Sequence, residues 1–158
     1  MGIETNIGSD RDFELWALLN QACDAIGKAR DDELRQFGIT RMQAAILFTL
    51  KAIKVSATPA EVARWLFREP HTVSGMLHRM EKRGLVRITK DPARKHLLRI
   101  VITEKGEEAC QQARELKPIH RSLSCLSSKE HDDLRAYLKR VRNRALEELR
   151  VAPKLPYP

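Results

Sequence analysis

The chain has 158 residues, of which 42% are hydrophobic, and it carries a formal net charge of +8 at pH 7. This length and apolar content suit one globular domain with a substantial core, and they argue against a disordered chain. The first dozen residues are polar and acidic, and no apolar run approaches the ~18 residues of a membrane span, so we expect a cytoplasmic protein without a membrane partner.

The charge is distributed unevenly along the chain. Residues 1–35 contain 4 basic and 8 acidic side chains, whereas residues 59–105 contain 11 basic and 5 acidic ones. A basic segment of this kind predicts a polyanionic partner, with nucleic acid favoured and an anionic membrane surface as the competing candidate.

A long first helix is predicted between Asp12 and Arg35, where apolar residues recur with the period of one helical face. Gly38 closes the connection that follows. Thr40 is the predicted N-cap of a second helix, RMQAAILFTLKAI, which is apolar on nearly all sides and should therefore lie in the centre of the core.

Two short helices come next. The segment Thr58–Glu61 (TPAE) predicts a capping box with proline at the first helical position, so a third helix should begin at Pro59 and run through PAEVARWLF. Pro70 opens a fourth helix, which Gly84 ends. Two short helices joined by a tight turn form a helix-turn-helix. The face of the fourth helix that we expect in the core consists of Val73, Met76, Leu77 and Met80.

The remaining segments predict a hairpin and two further helices. LVRIT and HLLRIVIT alternate as strands do, and the polar tip KDPARK lies between them. Thr103 should cap a fifth helix that Pro118 ends or kinks, and the capping box SSKE should start a last amphipathic helix. The proline-rich tail VAPKLPYP is predicted to be extended.

The fourth helix and the hairpin together predict a DNA-binding surface. Opposite its core face, the fourth helix presents short polar groups near its N-terminus and basic groups beyond them, which suits base edges and phosphates of a major groove. The basic hairpin would then be a wing over the adjacent backbone. The predicted contacts of the recognition helix are His71, Thr72, Ser74, Gly75, His78, Arg79 and Lys82, and those of the wing are Lys90, Arg94, Lys95 and His96.

The order of these motifs resembles the MarR family of transcriptional regulators. The resemblance covers nearly the whole chain and includes GITRMQAAILFTL, TPAEVARWL, HTVSGMLHRMEKRGLV and ITEKG. It implies an obligate homodimer built from the first and last helices, a palindromic operator, and in many members a ligand pocket between the dimer helices and the DNA-binding lobes.

Two features of the sequence, one in the fourth helix and one in the wing, depart from the family pattern. Gly75 stands where the family often has an arginine that reads guanine. In the wing, Arg94, Lys95 and His96 stand where Asp-Arg-Arg is common, so Lys95 is the expected counterpart of the tip arginine and Arg94 is its rival. The acid that braces this arginine is missing unless Asp91 substitutes for it.

The predicted fold is mainly α (α+β): a winged helix-turn-helix lobe with a two-stranded β-hairpin wing, between long N- and C-terminal dimerisation helices. Within a single domain of residues 1–158, we assign 39–102 to the lobe, and 10–36 and 103–150 to the dimerisation region. The apolar stripes of the terminal helices need a partner larger than the lobe, which favours a twofold dimer over a monomer. The expected interface residues are Leu15, Leu18, Leu19, Leu134, Leu138, Val141 and Leu149.

The remaining candidate residues give weaker signals. Cys23, Cys110 and Cys125 form no CxxC pair, so we expect small buried or half-buried thiols, with redox sensing at Cys23 as the alternative. Trp65 and Phe67 are expected in the lobe core, with a place in a ligand pocket as the alternative.

The sequence predicts neither a metal site nor a cofactor. His71 and His78 would lie ~10 Å apart along a helix, too far to share an ion. Phosphate loops, nucleophile elbows and metal-ligand clusters are absent from the sequence, so we do not expect an enzyme.

We therefore predict a sequence-specific DNA-binding regulator of transcription, most simply a repressor that a small ligand releases. The alternative is a winged-helix architectural or protein-interaction module that binds DNA without sequence preference.

Overall fold

The computed structural model describes residues 10–53 and 57–150. In this part of the chain, α1 is followed by a lobe of three helices and a hairpin, and three further helices complete the chain. The elements are α1 (Arg11–Gln36), α2 (Arg41–Ile53), α3 (Pro59–Trp65), α4 (Pro70–Lys82), β1 (Val86–Lys90), β2 (Leu98–Ile102), α5 (Glu104–Ala113), α6 (Lys117–Leu123) and α7 (Ser128–Glu148). The predicted mainly α fold with a two-stranded wing is confirmed.

The core lies around α2, as its apolar sequence predicts. Ile46 and Leu47 of this helix are fully buried, and they share one cluster with Val62 of α3 and Leu77 of α4. The same cluster continues into Leu34 at the end of α1 and into Ala109, Cys110 and Ala113 of α5. Burial of a leucine or valine side chain stabilises a fold by about 1.5–3 kcal/mol, so this cluster anchors the lobe.

Local capping fixes most of the helix boundaries. Thr40, Thr58 and Thr103 each accept a hydrogen bond from a backbone N–H in the first turn of the helix that follows. The capping box of α7 is complete, because Ser127 and Glu130 bond each other's backbone N–H. Among the described residues, the Thr58 box makes only the bond from Glu61 N to the threonine hydroxyl, without the predicted return bond.

The turn between α3 and α4 differs from the prediction. The third helix ends at Trp65, and Phe67 adopts a left-handed backbone conformation with φ of 51°. This conformation turns the chain sharply toward Pro70 and leaves Phe67 46% exposed, so its predicted place in the core is wrong. Trp65 is half-buried, and its indole Nε1 has no acceptor among the described residues.

The end of α4 leads directly into the hairpin. Gly84 has φ of 72°, and the N–H of Leu85 donates to Met80 O at 2.9 Å, which forms the predicted glycine cap. Strands β1 and β2 then pair antiparallel, with Val86 opposite Ile102. The Ile100 N–H donates to Ala57 O at 3.0 Å, so a short segment before α3 also joins this sheet.

The second strand is shorter than predicted. It begins at Leu98 instead of His96, because Leu97 N donates to Arg94 O at 2.8 Å and closes the turn there. His96 therefore lies in the tip of the hairpin, while Lys90 is the last residue of β1 and pairs with Leu98.

The segment around Pro118 was predicted incorrectly. Helix α5 already ends at Ala113, and Leu116 takes a left-handed conformation with φ of 49°. Pro118 lies in the first turn of a separate helix, α6, where its missing N–H costs no intrahelical bond.

A buried ion pair joins α1 to the connection between α5 and α6. Arg30 and Glu33 are 5% and 8% exposed and bond each other, and the Arg30 guanidinium also donates to Ala113 O. The second oxygen of Glu33 accepts from Lys117 N at 3.0 Å. This pair therefore holds the end of α5 and the start of α6 against the first helix.

The long terminal helices leave their apolar residues largely exposed. In α1, Leu15, Trp16 and Leu18 are each more than half exposed, and in α7 the same holds for Tyr137 and Val141. Leu146 is the buried residue of α7. None of the helices in the described part of the chain combines the length and the apolar content that crossing a bilayer requires.

The cysteines differ from the prediction as well. Cys110 is buried, but Cys23 and Cys125 are exposed, so the expectation of three sheltered thiols is wrong for two of them. Burial raises the pKa of the Cys110 thiol, which disfavours its reactive thiolate form. The predicted extended tail, residues 151–158, lies outside the described residues.

Candidate nucleic-acid interface

Helix α4 has one face in the core and the opposite face toward solvent. Val73, Leu77 and Met80 are completely buried, which fixes the rotation of the helix about its axis. All seven predicted contacts lie away from these three residues and retain access to solvent. His71, His78, Arg79 and Lys82 are exposed, and Thr72, Ser74 and Gly75 are half-buried.

The N-terminal end of α4 is open. Its N-cap residue is Glu69, whose side chain makes no capping hydrogen bond, and Pro70 follows at the first helical position. The backbone N–H groups of the first turn therefore keep their capacity to donate, beside the polar side chains of His71 and Thr72. Helix N-termini with free N–H groups favour anions such as phosphate.

Two charged residues that sequence reasoning did not single out fix α4 in the lobe. Glu81 accepts a hydrogen bond from Ile88 N at 2.7 Å, which joins α4 to β1. Arg83 donates to Gln43 at 3.0 Å and to Gly38 O, which joins the end of α4 to α2 and the turn before it. These bonds span up to 45 residues of sequence, so no local pattern could have identified them.

Gly75 lies beneath the side chain of Arg79. A Cβ atom added to Gly75 would have Arg79 Nη1, 3.7 Å away, as its nearest neighbour, which is ordinary van der Waals contact. Helical side chains point back toward the N-terminus, and the Arg79 guanidinium accordingly lies over the preceding turn. A cation therefore occupies the outward face of α4 where the glycine contributes no side chain.

The wing presents its cations at the tip of the hairpin. Lys90, Arg94, Lys95 and His96 are all exposed, and none of them forms an ion pair with another residue of the described segments. Unpaired basic side chains on a projecting hairpin are suited to contact phosphates.

Asp91 is the buried acid of this hairpin. The residue is 4% exposed, and one carboxylate oxygen accepts hydrogen bonds from the N–H groups of Ala93 and Arg94, each at 2.8 Å. The other oxygen accepts from Arg99 Nε at 2.6 Å. The bond from the Arg94 N–H, supported by those from Arg99 and Ala93, holds the pKa of Asp91 below its usual value although burial opposes this shift. Asp91 thus braces the backbone of the tip and pairs with Arg99, instead of pairing with Arg94 or Lys95.

The described residues contain no group of three or more His, Cys, Asp or Glu side chains that would hold a metal ion. His78 lies 3.9 Å from the Glu81 carboxylate and is 60% exposed.

The chain is similar to solved structures of transcriptional regulators over most of its length. The organohalide-sensing regulator RdhR, in a structure with bound 2,4-dichlorophenol, is 30% identical and superposes with a TM-score of 0.82. The alignment covers 92% of this chain and 88% of RdhR. The model of the MarR family matches residues 37–95, which include α2, α3, α4 and the first half of the wing.

The chain belongs to the MarR family. Two more distant structures share its fold. A mutant of MarR from E. coli, in complex with operator DNA, has a TM-score of 0.76 at 23% identity and covers 84% of this chain and 99% of its own. MepR from S. aureus, in complex with DNA, has a TM-score of 0.75 at 23% identity and covers 86% and 99%. Comparison with curated protein sequences gave no match.

Proposed function

We propose that this MarR-family regulator is a homodimer that binds a palindromic operator, represses transcription from it, and is released by a small aromatic ligand. Two neighbouring surfaces carry the proposal. The exposed face of α4 has polar groups at an open helix N-terminus, and the wing beside it has unpaired cations. In this arrangement the helix reads base edges in a major groove, while Lys90, Arg94, Lys95 and His96 contact the backbone.

A second copy of the chain is the partner we infer for α1 and α7. Leu15 of α1 lines a groove together with Tyr137, Val141 and Ala145 of α7, so the two terminal helices offer one continuous apolar surface. The N-terminal part of the chain is acidic, whereas five basic residues between Arg135 and Arg144 lie on α7. Apolar and charge complementarity both favour association of the two helices with their symmetry mates.

A twofold dimer would present two recognition helices to DNA. Two half-sites about one helical turn, ~34 Å, apart would then be bound together, which explains why a palindromic operator is expected. Occupation of such a site at a promoter would exclude the transcription machinery, and repression is the simplest outcome.

A cavity at the joint between the lobe and α6 is the candidate site for an effector. It has a volume of about 390 Å³ and lies between the end of α2 and Leu116, the residue with a left-handed backbone conformation before α6. Phe48, Ala52 and Leu116 provide apolar walls, Arg114 provides positive charge, and the ammonium of Lys51 is paired with Glu107. This lining suits a small aromatic molecule with an acidic group. Support comes from RdhR, a relative solved with bound 2,4-dichlorophenol.

Ligand release would follow from the position of this cavity. The cavity borders the connection between α5 and α6, which joins the lobe to the proposed dimer helices. A ligand that binds better to one lobe orientation would shift the population toward it and change the spacing of the recognition helices.

DNA binding is tested by fluorescence anisotropy at ~150 mM salt, with DNA from upstream of the protein's own gene and a scrambled duplex of equal length. Selection from random sequences follows if neither binds tightly. A preference of ~10³ or more for one sequence supports an operator-binding regulator. Equal affinity for all sequences would favour the architectural module instead.

The dimer is tested with a matched pair of substitutions. Val141 of α7 and Val101 of the wing are both 53% exposed, but only Val141 lies on the proposed interface. We expect Val141→Asp to sediment as a folded monomer and Val101→Asp to remain dimeric. If both variants stay dimeric at micromolar concentration, α7 is not part of the interface.

A further inference from the structure

The wing of this chain contains an ion pair that lies behind its DNA-facing tip. Asp91 is the first residue after β1, and Arg99 is the second residue of β2, opposite Thr89 in the register. Asp91 is buried, and its carboxylate accepts a hydrogen bond from Arg99 Nε at 2.6 Å. Arg99, whose side chain is 34% exposed, thus has a buried carboxylate as the partner of its charge, and we do not expect it to contact phosphate.

The same carboxylate also determines the course of the tip backbone. It accepts hydrogen bonds from the N–H groups of Ala93 and Arg94. The N–H of Asp91 itself donates to Leu97 O at 2.8 Å. Arg94 O in turn accepts from Leu97 N at 2.8 Å. The backbone of Arg94 is therefore held at both its N–H and its carbonyl, and Lys95 follows directly after it.

A hairpin tip fixed before binding loses less conformational entropy when it contacts DNA. Arg94 and Lys95 carry long side chains on a seven-residue connection, and ordering such a segment costs conformational entropy. Bonds made in the free protein reduce this cost, and reduced ordering cost appears directly as affinity.

We propose that Asp91, paired with Arg99, is a positioning residue for DNA binding that holds the wing tip so that Arg94 and Lys95 reach the phosphate backbone. This inference rests on the proposed function of the wing. In this proposal Asp91 and Arg99 support DNA binding through the conformation of the wing tip, without contacting DNA themselves.

The charge of Asp91 makes the proposal separable from simple electrostatics. Removal of a negative charge from a DNA-binding surface strengthens binding when charge alone matters. Asp91→Asn keeps the size of the side chain but removes the charge that holds Arg99, so the proposal predicts weaker binding. Glu69→Gln is the matched control, because Glu69 is an exposed acid at the N-terminus of α4 whose side chain makes no capping bond.

The test is a double-mutant cycle between Asp91→Asn and the tip variant Arg94→Ala/Lys95→Ala. A duplex selected by the wild-type protein serves as the probe, and its affinity is measured by fluorescence anisotropy across a salt series. We expect Asp91→Asn to weaken binding about fivefold or more in the wild-type background, and less than about twofold when the tip cations are absent. Glu69→Gln should bind at least as tightly as the wild type.

The proposal is overturned if Asp91→Asn binds as tightly as Glu69→Gln, or if its loss of affinity is the same with and without the tip cations. Failure of the wild-type protein to bind any duplex would instead reject the proposed function, before the variants are compared.

Folding is monitored separately. Hydrogen exchange at the Ala93 and Arg94 amides of the free protein should accelerate in Asp91→Asn, while the lobe still unfolds cooperatively at a somewhat lower melting temperature. If Asp91→Asn does not fold, Arg99→Lys replaces it, because lysine keeps the positive charge but loses the Nε–H bond. We then expect Arg99→Lys to weaken binding when Arg94 and Lys95 are present, and much less when both are replaced by alanine.

Discussion

The lobe and the two long terminal helices carry similar apolar stripes, but only the lobe buries them. Leu77 of α4 is completely buried, whereas Leu18 of α1 is 61% exposed, although both lie on the apolar face of an amphipathic helix. The stripe of α4 faces the core cluster around α2, and the first half of α1 extends beyond that cluster. The lobe is thus packed within one chain, and the exposed stripes indicate where a second copy would bind.

The largest loss of stability is expected at the buried Arg30–Glu33 pair, which joins α1 to the connection between α5 and α6. Glu33→Gln leaves the buried Arg30 guanidinium without its counter-ion, and loss of one partner of a buried pair costs about 3–5 kcal/mol. Urea denaturation measures this loss of unfolding free energy. Asp32→Asn is the control, since the Asp32–Arg35 pair is exposed and should contribute less than about 1 kcal/mol. Similar losses for both variants would contradict the assignment of Arg30 and Glu33 to a buried joint.

The comparison of buried and exposed stripes can be tested directly with leucine truncations. Leu77→Ala should lower the free energy of unfolding by about 2–5 kcal/mol, because it leaves a cavity in the lobe core. Leu18→Ala should leave the stability of the dilute protein nearly unchanged and weaken its self-association, as measured by sedimentation over a range of concentrations. A large loss of stability for the dilute Leu18→Ala protein would show that α1 packs within its own chain.

Two glycines, Gly75 in α4 and Gly106 in α5, are expected to respond in opposite ways to substitution by alanine. A Cβ at Gly106 would lie 2.0 Å from Leu85 O, where α5 crosses the start of the hairpin, whereas one at Gly75 would be 3.7 Å from its nearest neighbour. Gly106→Ala should therefore destabilise by about 1–3 kcal/mol or more. Gly75→Ala should stabilise α4 by about 0.5–1 kcal/mol, since alanine is the better helix former. Thermal unfolding distinguishes them by the sign of the change in melting temperature.

A smaller effect is expected at the capping box of α7. Ser127→Ala removes the acceptor for Glu130 N and should cost about 1 kcal/mol. Ser128→Ala, one residue later and inside the first helical turn, is the control and should be nearly neutral. Circular dichroism during thermal unfolding measures both variants.

The smallest expected change is in the pH dependence of stability. The pKa of Asp91 is lower in the folded protein than its usual value of 3.8, so its ionised form stabilises the fold. This contribution is fully present above the unfolded pKa and is lost as the pH falls through the lower folded value. The stability difference between wild type and Asp91→Asn should therefore stay constant near neutral pH and shrink in acid. A difference that persists unchanged at the acid end would mean that the charge of Asp91 is not responsible.

Helix boundaries followed from the sequence wherever local chemistry sets them. Thr103 and Ser127 begin helices and Gly84 ends one, as predicted. Capping depends on residues within a few positions of the helix end. The outward polar face of α4 was likewise predictable, since the period of Val73, Leu77 and Met80 fixes which side enters the core.

Other features depended on partners that are distant in sequence. Phe67 reads as a core aromatic, but the left-handed turn between α3 and α4 directs it outward. Pro118 reads as the end of one helix, but Glu33, 84 residues before Lys117, binds the first N–H of a new one. The structural roles of Arg83 and Arg99 also became visible only when their acceptors were in place.

The sequence by itself determined the order of the elements apart from the separate helix α6, the core face of α4, the basic segment and, through the resemblance of its motifs, the family. Apart from the family, which rests on the resemblance of the motifs, these properties depend on periodicity, caps and charge, which act over one or two turns of chain. Only the tertiary structure decided which apolar stripes are buried, which cations are paired, and that Asp91 anchors the wing through Arg99. The physical reason is that burial and ion pairing are set by distances between segments, and those distances exist only once the chain has folded.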